Sequence, residues 1–298
     1  MLEAATQSPT APAARPVAPK FEPLFEKLGK LAPLPGVAHR VLEIVANDDS
    51  CADDLIEAIE WDAAICTSVL RLANSAHCGL RRGVAELKGA VTLLGSDRVC
   101  NLAVTASMKS VLGKSAKTGP LDQHQLWKHS VCVAALSQTV AKQCQTADPE
   151  EAFLAGLLHD IGLIVMNQHL INETELVFIE LQNGTELTVA EQSVLGFDHA
   201  QLGAHLTRCA RFPDRLVHSI DAHHQPPSNS GGRPGLLDTI SLANYLATRL
   251  GVGSIANRRL PPPDAQHLQR FGLDRDSLRD LWSEAEPTVE KALDMASV

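Results

Sequence analysis

The stretch "FLAGLLHDIGLIV" at 153–165 sets His159 and Asp160 side by side in an otherwise apolar run. Imidazole and carboxylate are common transition-metal ligands, and an Asp beside a ligating His can also bridge two ions. The competing reading is a polar pair tolerated in a core. Further imidazoles recur on apolar faces. His129, Val133, Leu136 and Val140 stand at i, i+4, i+7 and i+11, so His129 lies on an apolar stripe. Leu216, Ile220, His223 and His224 stand at i, i+4, i+7 and i+8, and both histidines extend that buried face. Asn244 sits inside the stripe Leu236, Ile240, Ala243, Ala247 and Leu250, and His199 follows Asp198 at a helix start. One inward histidine is ordinarily a hydrogen-bonded core residue. Several on separate helices are harder to satisfy, because each unpaired buried polar group costs about 1–3 kcal/mol. A shared cation would satisfy them together. On spacing, the candidate metal ligands are His129, His159, Asp160, His223, His224 and Asn244, and His199 could join them from its helix N-terminus. A histidine-rich set with a carboxylate suits a divalent transition metal such as Fe, Mn or Zn over Ca.

Those side chains need helices to aim them. Hydrophobic residues make up 45% of the 298, but aromatics only 4%, so Leu, Ala, Val and Ile must do most of the packing. Leu- and Ala-rich segments favour helix. Start signals recur: Ser50 with Asp53 three residues on, Asp62 before the face Ile65, Val69 and Leu72, and Asp198 before His199. Asp148 is followed by Pro149, Glu150 and Glu151, which suit a helix N-terminus. Pro213 opens the segment that ends in His223 and His224. Residues 153–165 read as one buried helix. No segment of any length alternates with period two, so the expected fold class is all-α.

The Ala/Pro-rich stretch 1–20 reads as a disordered tail. "GKSAKTGP" (113–120) is a loop and a boundary between an amino-terminal helical part (24–118) and a second part (119–228). A carboxy-terminal helical extension, 229–298, completes the core of the second part. Its end, 264–298, carries Leu268, Phe271, Leu278, Leu281 and Trp282 on an amphipathic pattern and could pack on the domain or on a second chain.

The totals narrow the function classes. A formal charge of −9 is poor material for gripping phosphate backbones. Arg71, Arg81, Arg82 and Arg98 are too few to offset it, and no nucleic-acid partner is expected. No apolar run is long enough to span a membrane, and the amino terminus shows no secretory signal. Seven cysteines without CxxC pairing suggest reduced thiols in the cytoplasm. Cys66, Cys100 and Cys132 lie in apolar helical patterns and read as small core residues.

His129 followed by the His159–Asp160 pair resembles the HD superfamily of metal-dependent phosphohydrolases. "LAPLPGVAHRVLEI" (31–44), "VLRLANSAHCG" (69–79), "AVTLLG" (90–95), "LWKHSVCVAALSQTVA" (126–141), "AFLAGLLHDIGLIV" (152–165) and "GFDHAQLGAHL…FP…IDAHHQP" (196–226) together resemble a narrower relative, the HDOD domain of bacterial signalling proteins. The likeness covers roughly residues 24–228. It implies an HD-like helical fold and a regulatory or protein-interaction module, with signalling partners supplied in trans and no catalytic residue. "WDAAI" (61–65) departs from the family's more usual Asp-Pro pair there. The chain also resembles the HD-GYP cyclic-di-GMP phosphodiesterases at His129, His159, Asp160, His199, His223 and His224. That branch implies that Asp160 bridges two ions, and it supplies the alternative of an active metal-dependent phosphohydrolase. Against it, the family's last ligand Asp falls on Asn244, its Glu after the paired histidines is Gln225, and Leu163 stands where active relatives commonly carry Lys.

Overall fold

A computed structural model describes residues 15–29, 36–45, 50–75, 83–112, 120–225, 233–255, 260 and 262–297. Among them there is no strand, and the all-α expectation holds. The first half supplies α1 (Glu22–Gly29), α2 (Gly36–Val45), α3 (Ala52–Glu60), α4 (Ala63–Ala73), α5 (Leu87–Leu94) and α6 (Ser96–Leu112). The second half supplies α7 (Gln123–Cys144), α8 (Pro149–Leu158), α9 (Ile161–His169), α10 (Ile171–Gln182), α11 (Leu187–Leu195), α12 (His199–Cys209) and α13 (Asp214–Ala222). After these come α14 (Leu236–Arg249), α15 (Ala265–Arg270) and α16 (Arg275–Ser297).

Most start signals act as the local chemistry dictates. Asp62 accepts from the Ala64 and Ile65 amides, and Asp148 from those of Glu150 and Glu151 with Pro149 in the first turn. Asp198 accepts from Gln201 N while the Gln201 side chain reaches back to Asp198 N, a reciprocal cap. The start expected at Ser50 falls one residue later. Cys51 holds the cap position, and the Asp54 carboxylate accepts from its amide at 2.8 Å.

α7 is the axis of the second half. It packs against α8, α14 and α16, and residues all round it are buried, from Leu126 and Trp127 to Val133, Leu136 and Val140. Fully burying each such Leu or Val stabilises by roughly 1.5–3 kcal/mol, so aliphatic burial can replace the missing aromatics. α12 packs on α13 and α9, while α2 and α4 cover α6. The carboxy-terminal α16 lies on α7 of its own chain, where Trp127 Nε1 donates to Ala296 O at 3.1 Å.

α1 packs on α12 of the second half, with Phe25 edge-on to Phe197 at 5.0 Å. Residues 1–14 of the expected tail lie outside the described residues. Arg15, inside the stretch 1–20 expected to be a disordered tail, is instead anchored: it makes a fork on Asp198 at 2.8 and 2.9 Å and also reaches Asp221 at 3.0 Å. Also outside are 30–35, 76–82, 113–119 and 226–232, which hold parts of the amino-terminal motifs, Arg81, Arg82, the boundary loop and the stretch after Gln225. Cys100 and Cys132 are buried as expected, whereas Cys66 is only partly so. No single helix among the described residues is long and apolar enough to cross a membrane.

Candidate metal centre

Four places in the chain converge on one carboxylate. His129 comes from the amino-terminal third of α7, His159 and Asp160 from the junction of α8 and α9, His199 from the first position of α12, and His223 and His224 from the end of α13. The structure therefore brings together these six side chains.

It does so by correcting one element. The run 153–165 is not one helix: α8 stops at Leu158 and α9 starts at Ile161, with Asp160 at φ −100° and ψ 17° between them. Adjacent residues on an unbroken helix diverge by about 100° and cannot face a common point. The break lets His159 and Asp160 converge. His223 and His224 likewise follow the last helical residue of α13 rather than continuing it.

Helix ends also set the ring orientations. The last carbonyls of a helix have no partner within it. His159 Nδ1 donates to one of them, Gly156 O, at 2.8 Å, and His223 Nδ1 to another, Ile220 O, at 2.7 Å. His129 Nδ1 donates to Val252 O at 2.7 Å, in the turn after α14. His199 Nδ1 meets the Glu191 carboxylate at 2.7 and 2.9 Å. With Nδ1 protonated toward these acceptors, the Nε2 atom of each neutral ring presents its lone pair inward.

All four Nε2 atoms face Asp160. His129 and His159 stand 3.6 and 3.3 Å from Oδ2, and His199 and His223 stand 3.4 and 3.5 Å from Oδ1. His199 Nε2 also lies 2.9 Å from His224 Nε2. The Nε2 atoms of His159 and His223 are buried and make no hydrogen bond. Ligands held ~2.0–2.2 Å from a tetrahedral ion are separated by roughly 3.3–3.6 Å, so these spacings suit a coordination shell better than a hydrogen-bond network. The donors form two groups that share Asp160: one with His129 and His159, the other with His199, His223 and His224. The residues present thus fit one or two ions. His129, His159 and His199 are 0% exposed, Asp160 2% and His223 5%; only His224 is half-buried.

The electrostatics agree. Burial would raise the Asp160 carboxyl, but the charge and approach of His159, with His199 and His223, hold it well below the usual carboxylate range. Burial opposes protonation of His199, yet Glu191 and Asp160 outweigh it and lift that ring to about 10. Burial, helped by the neighbouring imidazole charges and only partly offset by Asp160, pushes His223 down to about 4. Without a cation, one ring must hold a proton while its neighbour refuses one.

Glycine explains how the backbones come so close. A Cβ on Gly162 would lie 2.0 Å from His199 O and 2.8 Å from its carbonyl carbon, so only glycine lets α9 meet the start of α12. Leu163 is buried in α9 at 2% exposure, and Gln225 is exposed beside His224. Asn244 is buried on α14 and lines a small cavity with Thr248, Gly253 and Ser254.

Sequence reasoning missed Glu191. It is 0% exposed on α11, and both its oxygens face His199. A signal was present: Leu187, Glu191 and Leu195 fall at i, i+4 and i+8, which puts a carboxylate on an apolar stripe just as His129 lies on one.

Known proteins are similar to this chain in sequence and fold. The HDOD domain family matches residues 31–226. A protein of Treponema pallidum is 25% identical over 225 residues, 74% of this chain and 43% of its own length. A cyclic di-GMP phosphodiesterase of Pseudomonas aeruginosa is 33% identical over 110 residues, 36% of this chain and 24% of that protein. The chain thus spans less than half the length of these curated relatives. A crystal structure of a candidate phosphohydrolase from Shewanella amazonensis SB2B superimposes with a TM-score of 0.73 at 26% identity, covering 92% of this chain and 97% of that one. The family match covers about two thirds of the sequence, and the chain belongs to the HDOD family.

Proposed function

We propose that this HDOD chain is a metal-bearing regulatory module of bacterial signal transduction. It acts through contacts with signalling proteins supplied in trans, in the cytoplasm, and is not an efficient hydrolase. One contrast carries the reading. Five imidazoles remain gathered around Asp160, whereas the positions that face substrate and metal in the active relatives are Leu163, Gln225 and Asn244 here. Leu163 offers no charge to a phosphate, and Asn244 offers a neutral oxygen where the relatives carry an anion. In this reading His129, His159, Asp160, His199, His223 and His224 hold a divalent transition metal, and the bound ion locks α7, α8, α12 and α13 into one surface. When bound, such ions can activate water and neutralise phosphate charge.

The alternative is an active phosphohydrolase or cyclic-dinucleotide phosphodiesterase. What favours it is that two donor groups share Asp160, together with the likeness to the Pseudomonas enzyme. Turnover of bis-p-nitrophenyl phosphate and cyclic di-GMP by protein loaded with Fe, Mn or Zn separates the two. The regulatory reading expects no hydrolysis above that of an Asp160→Ala variant. Hydrolysis that Asp160→Ala abolishes would overturn it.

A further inference from the structure

The two donor groups differ behind the ligands. His129, His159 and His223 each anchor Nδ1 on a neutral backbone carbonyl. His199 alone among these four anchors Nδ1 on a carboxylate, that of Glu191, at 2.7 and 2.9 Å. Glu191 Oε2 also accepts from the His199 amide at 3.0 Å, so the same carboxylate fixes both the ring and the start of α12. The chain is built to deliver it. Gly196, at φ +73°, turns the backbone after α11, and Phe197, at 0% exposure, pins that turn in the core. Glu191 and His199, eight residues apart, thereby come side by side.

A carboxylate behind an imidazole does three things that a carbonyl does less well. It fixes the tautomer with Nε2 bare, it holds the ring plane, and it strengthens the nitrogen as a donor by placing negative charge behind it. His199 Nε2 then faces Asp160 Oδ1 and His224 Nε2. We propose that Glu191 is a positioning residue that makes the two halves of the centre unequal: the half built from Asp160, His199, His223 and His224 takes a divalent transition metal first and more tightly, and the half built from His129, His159 and Asp160 fills second. This inference rests on the metal-binding reading above and adds an order of filling to it.

Stepwise titration of the chelated full chain with Co²⁺, followed by its ligand-field absorption and by calorimetry, tests the proposal. Wild-type protein is expected to fill in two resolved steps. Glu191→Gln, which keeps size and a hydrogen-bond acceptor but removes the charge, should weaken the first step by roughly 10- to 100-fold and leave the second in place. His129→Ala should remove the second step and spare the first. Circular dichroism of the chelated variants reports whether each is folded. If Glu191→Gln does not fold, an inverted pattern in His129→Ala, with the tight step lost, still overturns the proposal. A merely structural role for Glu191 would weaken both steps together and overturns it too, as would unchanged titration. If wild-type protein takes up no Co²⁺ at all, the metal-binding reading itself fails and this inference with it.

Discussion

Two rings of the centre differ in their hold on a proton in the absence of a cation. His199 has its folded-state value raised from 6.5 to about 10, so its contribution to stability is complete below pH 6.5 and is lost as pH rises through about 10. His223 has its value lowered from 6.5 to about 4, so it contributes above pH 6.5 and that contribution is lost as pH falls toward 4. For the chelated protein, these two groups therefore predict a melting temperature highest near pH 6.5 that declines on both sides. A bound metal replaces the His199 proton, so the metal-loaded protein should keep its stability on the alkaline side. Melting curves from pH 5 to 10 with and without chelator check this, and superimposable profiles would count against it. The six candidate ligands were legible in the sequence because imidazoles within apolar runs are unusual enough to need a reason. Glu191 lay on such a stripe and was overlooked because glutamates are common on helix surfaces. Arg15 could not have been found, since nothing in an Ala/Pro-rich stretch marks the one residue that reaches Asp198 and Asp221.

Helix ends, more than helix faces, build this centre. His159, Asp160, His223 and His224 lie just past the ends of α8 and α13, and His199 opens α12. Periodicity predicted that these residues were buried but not that the chain breaks there, because an apolar run such as 153–165 looks the same whether or not it is interrupted. The caps at Asp62, Asp148 and Asp198 were readable, since each rests on a side chain bonding an amide two or three residues on. Gly162 is the sharpest test at this scale. In Gly162→Ala the new Cβ would run into the His199 backbone, which cannot swing aside as a side chain would. We expect a loss of about 1–3 kcal/mol, or several degrees in melting temperature, with weaker metal retention. Gly36→Ala, whose Cβ would meet nothing within 4 Å, should change neither. Equal behaviour of the two variants would refute the close approach of α9 to α12.

Over the whole molecule, composition and period were enough to give an all-helical chain, and that is what the described residues form. How the helices pack was less legible. α7 is buried on nearly every side, although its sequence suggested a single apolar stripe, because small residues such as Ala134, Ala135, Ser130 and Ser137 let neighbours pack on its other faces. α1 packs on α12 and α16 on α7, so neither end of the described chain behaves as an appendage. A cation at Asp160 would tie together side chains from α7, the α8–α9 junction, α12 and the end of α13, and its loss should be felt throughout the domain. Metal analysis of the purified chain, before and after chelation and reconstitution with Fe, Mn or Zn, combined with thermal melting, tests this most directly. The prediction is uptake of one or two ions into the two groups that share Asp160, a melting temperature that falls by several degrees on chelation and recovers on reconstitution, and neither effect in Asp160→Ala. A chain that takes up no transition metal and melts at the same temperature throughout would contradict it.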